Sequence, residues 1–333
     1  MMYNASDNDL YAYQVADLEE AGQVGTTDTV NLLACVDHRP VGGQGQRLEM
    51  HTRGAVVKEQ WPDCNMSDPK NLANFVEWGM KNYPAENYWL VISDHGDAWK
   101  GALEDDGNEG WMSLPQIQQA LGEARQKTGH KLDLLSFDCC YMGSLEVAHQ
   151  LRDEAKYMVS SQEEVGWHGH SYQQVLQDID SLTPRQLAEK LVESGRNHPK
   201  EFQTLAAVDL EKIPQVSNAV RQLGQAMAAQ APVDLRMAVE KSQRMWEYHD
   251  ASDLAFQLGQ ALPVLQTAAE QVQKAIAEAV VAEQHDGDHP GAHGLHIETK
   301  RDVEKWGYSA TAFARDTGWD KVIEHLRPQV QCP

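Results

Sequence analysis

Two adjacent thiols, Cys139 and Cys140, follow directly on an apolar run, and an imidazole, His95, follows on another such run 45 residues earlier. A thiol attacks an acyl carbon well only as thiolate, and a neighbouring imidazole can take its proton and later return it to a leaving amine. The residue types therefore point to nucleophilic cysteine catalysis at a carbonyl. Gly96 follows the histidine, and a residue with no Cβ lets a substrate approach the backbone closely. Asp138 precedes the cysteines, either as an orienting or charge-supplying group or as the N-cap of the next helix.

The elements that must position these groups can be read from the pattern. Residues 132–143 run Leu-Asp-Leu-Leu-Ser-Phe-Asp-Cys-Cys-Tyr-Met-Gly, then Leu145, Val147, Ala148 and Leu151 recur at helical spacing, which predicts strand, sharp turn, helix. Residues 88–93 predict a second strand ending in Asp94-His95-Gly96-Asp97. If the two strands are parallel, imidazole and thiols emerge at the carboxyl edge of the sheet, where open α/β sheets bind ligands. The amino end of the helix after the cysteines would then favour thiolate and lower its pKa. Successive residues at a strand end point to opposite faces, so only one of the two cysteines can face His95. A vicinal disulfide between them would switch such an enzyme off.

Along the rest of the chain, a polar turn at residues 4–9 opens a helix to about Val24, and residues 30–36 predict a buried strand holding Cys35. His38 and Arg39 end that strand, as a solvated loop. Residues 48–59 predict a hairpin or an edge strand with a turn at Gly54, and Asp68-Pro69 starts a helix with Asp68 as N-cap. Residues 99–113 are rich in glycine and acid and predict a mobile loop; their spacing does not fit an EF-hand. A helix from Leu114, a strand over 157–161, a helix over 183–198 and a strand over 204–209 follow, and residues 211–284 are almost wholly helical in pattern. A strand over 294–298 and a helix over 308–326 close the chain. His285, His289, His293 and His296 lie in or beside a Gly/Pro loop without metal-ligand spacing and predict a solvated linker; His249-Asp250 at a helix break predicts local structure.

The order strand, His-Gly, long excursion, strand, Asp-x-Cys resembles the clostripain family of cysteine peptidases, in the caspase-like clan. Here the family's Asp-Ala-Cys-Leu-Met-Gly stands as Asp138-Cys139-Cys140-Tyr141-Met142-Gly143. The resemblance extends to Ala5-Ser6-Asp7-Asn8-Asp9-Leu10, to Gly294-Leu295-His296-Ile297 and to residues 312–320. It implies a caspase-like α/β/α sandwich with a mostly parallel central sheet, divided into a catalytic core over 1–210, a helical region over 211–284, and a final strand and helix over 285–333 packing back on the core. It assigns Cys140 as nucleophile, with Cys139 on the buried side, His95 as base, and the backbone of Gly96 and Cys140 as oxyanion hole. Relatives cleave after arginine or lysine, which calls for an acid in the P1 pocket. By spacing from Cys140 the family's usual acid falls on His168, so Asp138, Glu163 and Glu164 are the candidates to furnish charge, and His168 suggests instead a caspase- or legumain-like preference for an acidic or amide residue. Self-cleavage between the two motifs, usual in the family, would fall at Lys100. No cofactor is required; the family's calcium dependence leaves room for a regulatory ion. A non-catalytic partner-binding module on the same fold is the contrasting possibility.

The formal charge of −22 over 333 residues argues against nucleic acid or an anionic membrane as partner and would draw in basic peptides, although solubility alone accounts for it as well. Protein or peptide is the expected substrate. Five cysteines without CxxC spacing indicate neither a disulfide framework nor a zinc knuckle. No apolar run approaches the ~18 residues a membrane span needs. No signal peptide opens this stretch, and it starts nearly inside a strand, which fits a removed leader, hence a secreted or periplasmic enzyme, as well as a late start.

Overall fold

The computed structural model describes residues 1–38, 44–62, 64–300 and 302–327; Arg39 and Cys332 lie outside them. In chain order the strands are β1 (Met2–Asn4), β2 (Leu33–His38), β3 (Gln44–His51), β4 (Gly54–Trp61), β5 (Trp89–Ser93), β6 (Ala102–Asp105), β7 (Gly110–Met112), β8 (Leu132–Asp138), β9 (Ala155–Ser160), β10 (Thr204–Asp209), β11 (Arg244–Met245), β12 (Tyr248–Asp250), β13 (Val280–His285) and β14 (His296–Ile297). Nine of them form one sheet in the order β13-β10-β9-β8-β5-β1-β2-β3-β4. Its centre, from β9 to β2, is parallel, and the two strands at each edge are antiparallel.

Strand periodicity sorts the buried side chains onto two faces. Tyr3, Cys35, Ile92, Leu135 and Phe137 pack with α2 (Pro69–Asn82), α3 (Leu114–Thr128), α4 (Leu145–Leu151) and the helices α7 (Ile213–Met227), α8 (Pro232–Lys241), α9 (Ala251–Ala261) and α10 (Gln266–Ala279). Their neighbours Met2, Ala34, Val91 and Leu134 face the other way, against α1 (Tyr11–Val24), α5 (Tyr172–Leu176) and α6 (Pro184–Asn197). The result is the expected three-layer α/β/α sandwich. The helices after β10 share one buried cluster with the sheet, so they cover it.

Helix starts follow local chemistry. Asp68 accepts the N–H of Lys70 with Pro69 behind it, and Ser113 with Gln116 and Thr183 with Gln186 close capping boxes.

Four expectations change. Residues 99–113 are an ordered hairpin, β6 with β7, because Asp105 accepts the Asn108 N–H inside the turn and the Met66 N–H outside it. The helical stretch ends at Ala279, and β13 joins the sheet edge antiparallel to β10. β14 pairs with β12 in a separate small sheet rather than with the central one. Residues 308–326 are two short helices, α11 (Ala312–Thr317) and α12 (Trp319–His325), broken where Gly318 takes a φ of 73°. Among the described residues no helix is long and apolar enough to cross a membrane.

Candidate active site

β5 and β8 are parallel neighbours with Ser93 opposite Asp138. His95 and Cys140 are each two residues beyond that matched pair, so the register itself brings them to one edge. Parity then separates the cysteines: Cys139 continues the row of Leu135 and Phe137 into the core, 1% exposed, while Cys140 opens on a pocket of about 350 Å³. His95, Asp138, Glu164, Val165 and Trp167 line the same pocket.

Each half of the dyad has its own partner in this state. His95 Nε2 lies 2.8 Å from Asp9 Oδ1, with Glu104 Oε2 at 3.9 Å. The Cys140 sulfur accepts the Val165 N–H at 3.4 Å and lies 3.8 Å from the Val165 carbonyl. Neither sulfur contact is to His95. The thiol is also not acidified as expected. Burial, with Glu164 and Asp138 nearby, pushes it above the ordinary cysteine range, against a lowering by the Val165 N–H. The helix cannot offset this, because α4 starts only at Leu145, with Ser144 rather than Asp138 as its cap.

The loops bearing the two motifs touch. A Cβ at Gly96 would lie 2.5 Å from the Cys140 carbonyl oxygen and 2.9 Å from Cys139 Cβ, so packing requires glycine there. Among the described residues, neither the Gly96 nor the Cys140 N–H donates to a backbone carbonyl. Asp94, between strand and histidine, is buried; it accepts from Asn8 Nδ2 at 2.6 Å and from the Glu104 N–H, tying the histidine loop to β6 and to the first turn. Burial holds its carboxyl well above the usual range.

Of the acids expected at the pocket, Asp138 and Glu164 reach it. Asp138 Oδ2 accepts the Tyr172 hydroxyl at 2.8 Å and the His170 N–H at 3.1 Å, and a Cβ on Gly169, whose φ is 50°, would sit 2.2 Å from it. Glu164 accepts the Tyr141 hydroxyl at 2.7 Å. Glu163 is turned away, 3.6 Å from His289, and burial raises its carboxyl. His168 is exposed, its N–H donating to Glu201 and its ring edge-on to Tyr13, and it is not part of the lining.

Two acids were missed. Asp9 reaches His95 from the turn before α1, and Asp17 reaches the pocket from within α1. His296 was misjudged: it is buried, stacked 4.3 Å from Tyr248, and donates from Nε2 to the Tyr141 carbonyl at 2.8 Å, while its N–H donates to Gly143. The stretch around His296 thus props the loop that follows Cys140. His293 pairs with Asp250, the N-cap of α9. Among the described residues no group of three or more His, Cys, Asp or Glu side chains is arranged to hold a metal ion.

Comparison with known proteins follows this geometry. The clostripain family matches residues 2–325. Clostripain of Hathewaya histolytica is 26% identical over 223 residues, which cover 54% of this chain but only 41% of clostripain. A secreted C11 cysteine protease from Bacteroides thetaiotaomicron, solved with an irreversible peptide inhibitor, superposes with a TM-score of 0.75 at 21% identity, over 96% of this chain and 98% of that one. An inactive zymogen C11 protease from Parabacteroides distasonis gives 0.75 at 19% identity, over 95% and 96%. At these identities the structures establish the fold, which is caspase-like.

Proposed function

The chain belongs to the clostripain family, and from that premise we propose that it is a cysteine endopeptidase, with Cys140 as nucleophile and His95 as base, cutting after arginine or lysine. The observation that carries this is one pocket lined by Cys140, His95 and Asp138 at the ends of two parallel strands in register.

The chemistry runs as follows. In the resting site Cys140 is a thiol, so its proton leaves as attack begins rather than beforehand. Asp9 engages His95 Nε2, leaving Nδ1 to take that proton. The sulfur turns from Val165 toward His95 when substrate fills the site; catalytic hydrogen bonds commonly tighten only in the complex. Sulfur adds to the carbonyl carbon, the oxyanion is met by the Gly96 and Cys140 N–H groups, and the imidazolium returns the proton to the leaving amine. Water, with its proton passing to the same imidazole, then hydrolyses the thioester.

Among the described residues the pocket is lined by four carboxyl groups, from Asp17, Asp94, Asp138 and Glu164, against one lysine, the exposed Lys200. That balance favours a cationic side chain over the acidic or amide one that His168 suggested. Self-cleavage at Lys100–Gly101 belongs to the proposal as a gated event. Lys100 Nζ is 2.6 Å from Asp97, its carbonyl accepts Trp111 Nε1 at 3.1 Å, and a Cβ at Gly101 would meet the Met112 carbonyl oxygen at 2.1 Å. The bond is cut only when the β6–β7 hairpin opens.

Cleavage of a peptide library varied at P1, with wild type beside Cys140→Ala and intact mass recorded for both, tests the function. Cutting after arginine or lysine that the mutant loses is the expected result. Iodoacetamide labelling distinguishes a non-catalytic module: Cys140 alkylating no faster than Cys35 or Cys64, whatever the state of His95, would overturn the peptidase assignment.

A further inference from the structure

Asp17 is an acid in a place that helices reserve for apolar residues. It shares the buried face of α1 with Gln14, Leu18 and Ala21, and is 7% exposed. A buried carboxylate is costly unless a cation or several donors compensate it. Among the described residues every charged neighbour acting on it is another carboxyl: Asp138 at the end of β8, Glu20 one turn along α1, and Glu201 in the segment before β10. None of these three is free to relieve it by moving. Asp138 is held by Tyr172 and His170, Glu20 accepts the Tyr172 N–H at 2.7 Å, and Glu201 accepts the His168 N–H at 3.0 Å. The opening available to Asp17 is the pocket that Cys140 and His95 line.

The other walls suit a planar cation. Tyr13, one turn before Asp17 on α1, packs its ring 5.1 Å from that of Trp167, and both line the pocket. Aromatic faces attract guanidinium groups, and a guanidinium presents donors in a fork that can meet two carboxylates at once.

Resting on the basic-P1 reading above, we propose that Asp17 is the second acid of the P1 subsite, pairing with Asp138 to grip an arginine side chain and supplying from α1 the charge that residue 168 does not. Lys200 is exposed, His168 is outside the lining, and the Tyr172 hydroxyl donates to Asp138.

The pairing has a proton signature. With the pocket empty, burial first and the three carboxyl neighbours second push Asp17 up to about 9, so it is protonated at neutral pH. A bound cation favours the carboxylate, and the proton must leave. Occupation of the subsite therefore releases about one proton per site near pH 7.5, and less as pH rises past 9.

Two measurements test this. In wild type, benzamidine binding is followed by calorimetry in buffers of different ionisation enthalpy at pH 7.5. Release approaching one proton is expected; binding with no proton release overturns the role of Asp17 while leaving the basic-P1 reading intact, and no binding at millimolar benzamidine overturns both. Separately, kcat/KM is compared for a P1 arginine peptide and its neutral isostere citrulline, in wild type and Asp17→Asn. The arginine-to-citrulline ratio should fall about tenfold to a hundredfold in the variant, as for loss of one charge-assisted hydrogen bond, and mostly through KM. An unchanged ratio, in a variant whose Cys140 still alkylates ahead of the other cysteines, refutes the proposal.

Discussion

Replacing Asp9 by asparagine separates two views of the carboxylate beside His95. In a buried triad the acid that orients the imidazole contributes about 10⁴ in kcat. The geometry here is different. Asp9 Oδ1 is 2.8 Å from Nε2, but the carboxylate side chain is 65% exposed and the imidazole 34%. An ion pair so open to water contributes about 0.2–1 kcal/mol, and asparagine keeps an oxygen able to accept the Nε2–H. Since 1.36 kcal/mol is a tenfold change, the expected loss in kcat/KM is about 1.4-fold to fivefold. Glu104, whose oxygen is 3.9 Å from the same nitrogen, limits it further. The assay is steady-state hydrolysis of a P1 arginine peptide together with the iodoacetamide rate at Cys140, for Asp9→Asn and for the double variant with Glu104→Gln. Losses of a few-fold, rising modestly in the double variant, fit an orienting contact. A loss of 10³ or more would refute the reasoning and make Asp9 a full triad member, drawn inside when substrate binds.

Other substitutions probe the remaining contacts. Cys139→Ala should leave Cys140 alkylation fast and cost about 1 kcal/mol of stability by denaturant unfolding, since the side chain is buried in the main core and small. Gly169→Ala forces a Cβ onto the Asp138 carboxylate at a positive φ, so turnover of basic substrates should fall by at least tenfold while the far-UV spectrum is retained. His293, raised to about 9 chiefly by its hydrogen bond to Asp250, stabilises the fold fully below the unfolded value of 6.5 and loses this as pH rises through 9. Its ring is half-exposed, so His293→Gln should cost only about 1 kcal/mol at pH 6 and nothing at pH 10 in urea unfolding. Intact mass should show no cut at Lys100 under native conditions, and a cut absent from Cys140→Ala once mild denaturant loosens the β6–β7 hairpin.

What was legible in the sequence is what travels with strands. An apolar run ending in His95 and another ending in Cys140 declare themselves locally, and two parallel neighbours deliver their ends to one edge. The sandwich follows from the same runs alternating with helices. What was not legible depends on which distant loop meets that edge. Asp9 and Asp17 precede the nucleophile by more than a hundred residues, and an acid on a helix normally reads as solvated. Only the packing of α1 against α5 and the β3 side of the sheet turns Asp17 inward. The hairpin at 102–112 was hidden for a related reason: its apolar content is low, and it is held by Asp94 accepting the N–H of its Glu104 and by its own Asp105 accepting the N–H of Met66. His296 looked like linker because it follows the Gly- and His-rich loop at 285–294, yet its ring donates to the Tyr141 carbonyl.

Catalysis and recognition thus come from different layers of one edge. The thiol and the imidazole are fixed by the register of β5 with β8, which slipping by one residue would destroy by turning Cys140 to the core face. The acids proposed to meet the substrate lie instead on α1, on the terminal Asp138 and on the loop after β9, the last two held by the Tyr172 and Tyr141 hydroxyls. On the proposed reading, exchanges at Asp17 or Trp167 should redirect specificity without disturbing Cys140 and His95, whereas exchanges that shift β5 against β8 should remove activity toward every substrate together. If Tyr13, Trp167 and Asp17 variants changed the Cys140 alkylation rate as strongly as His95→Ala does, that separation would be false.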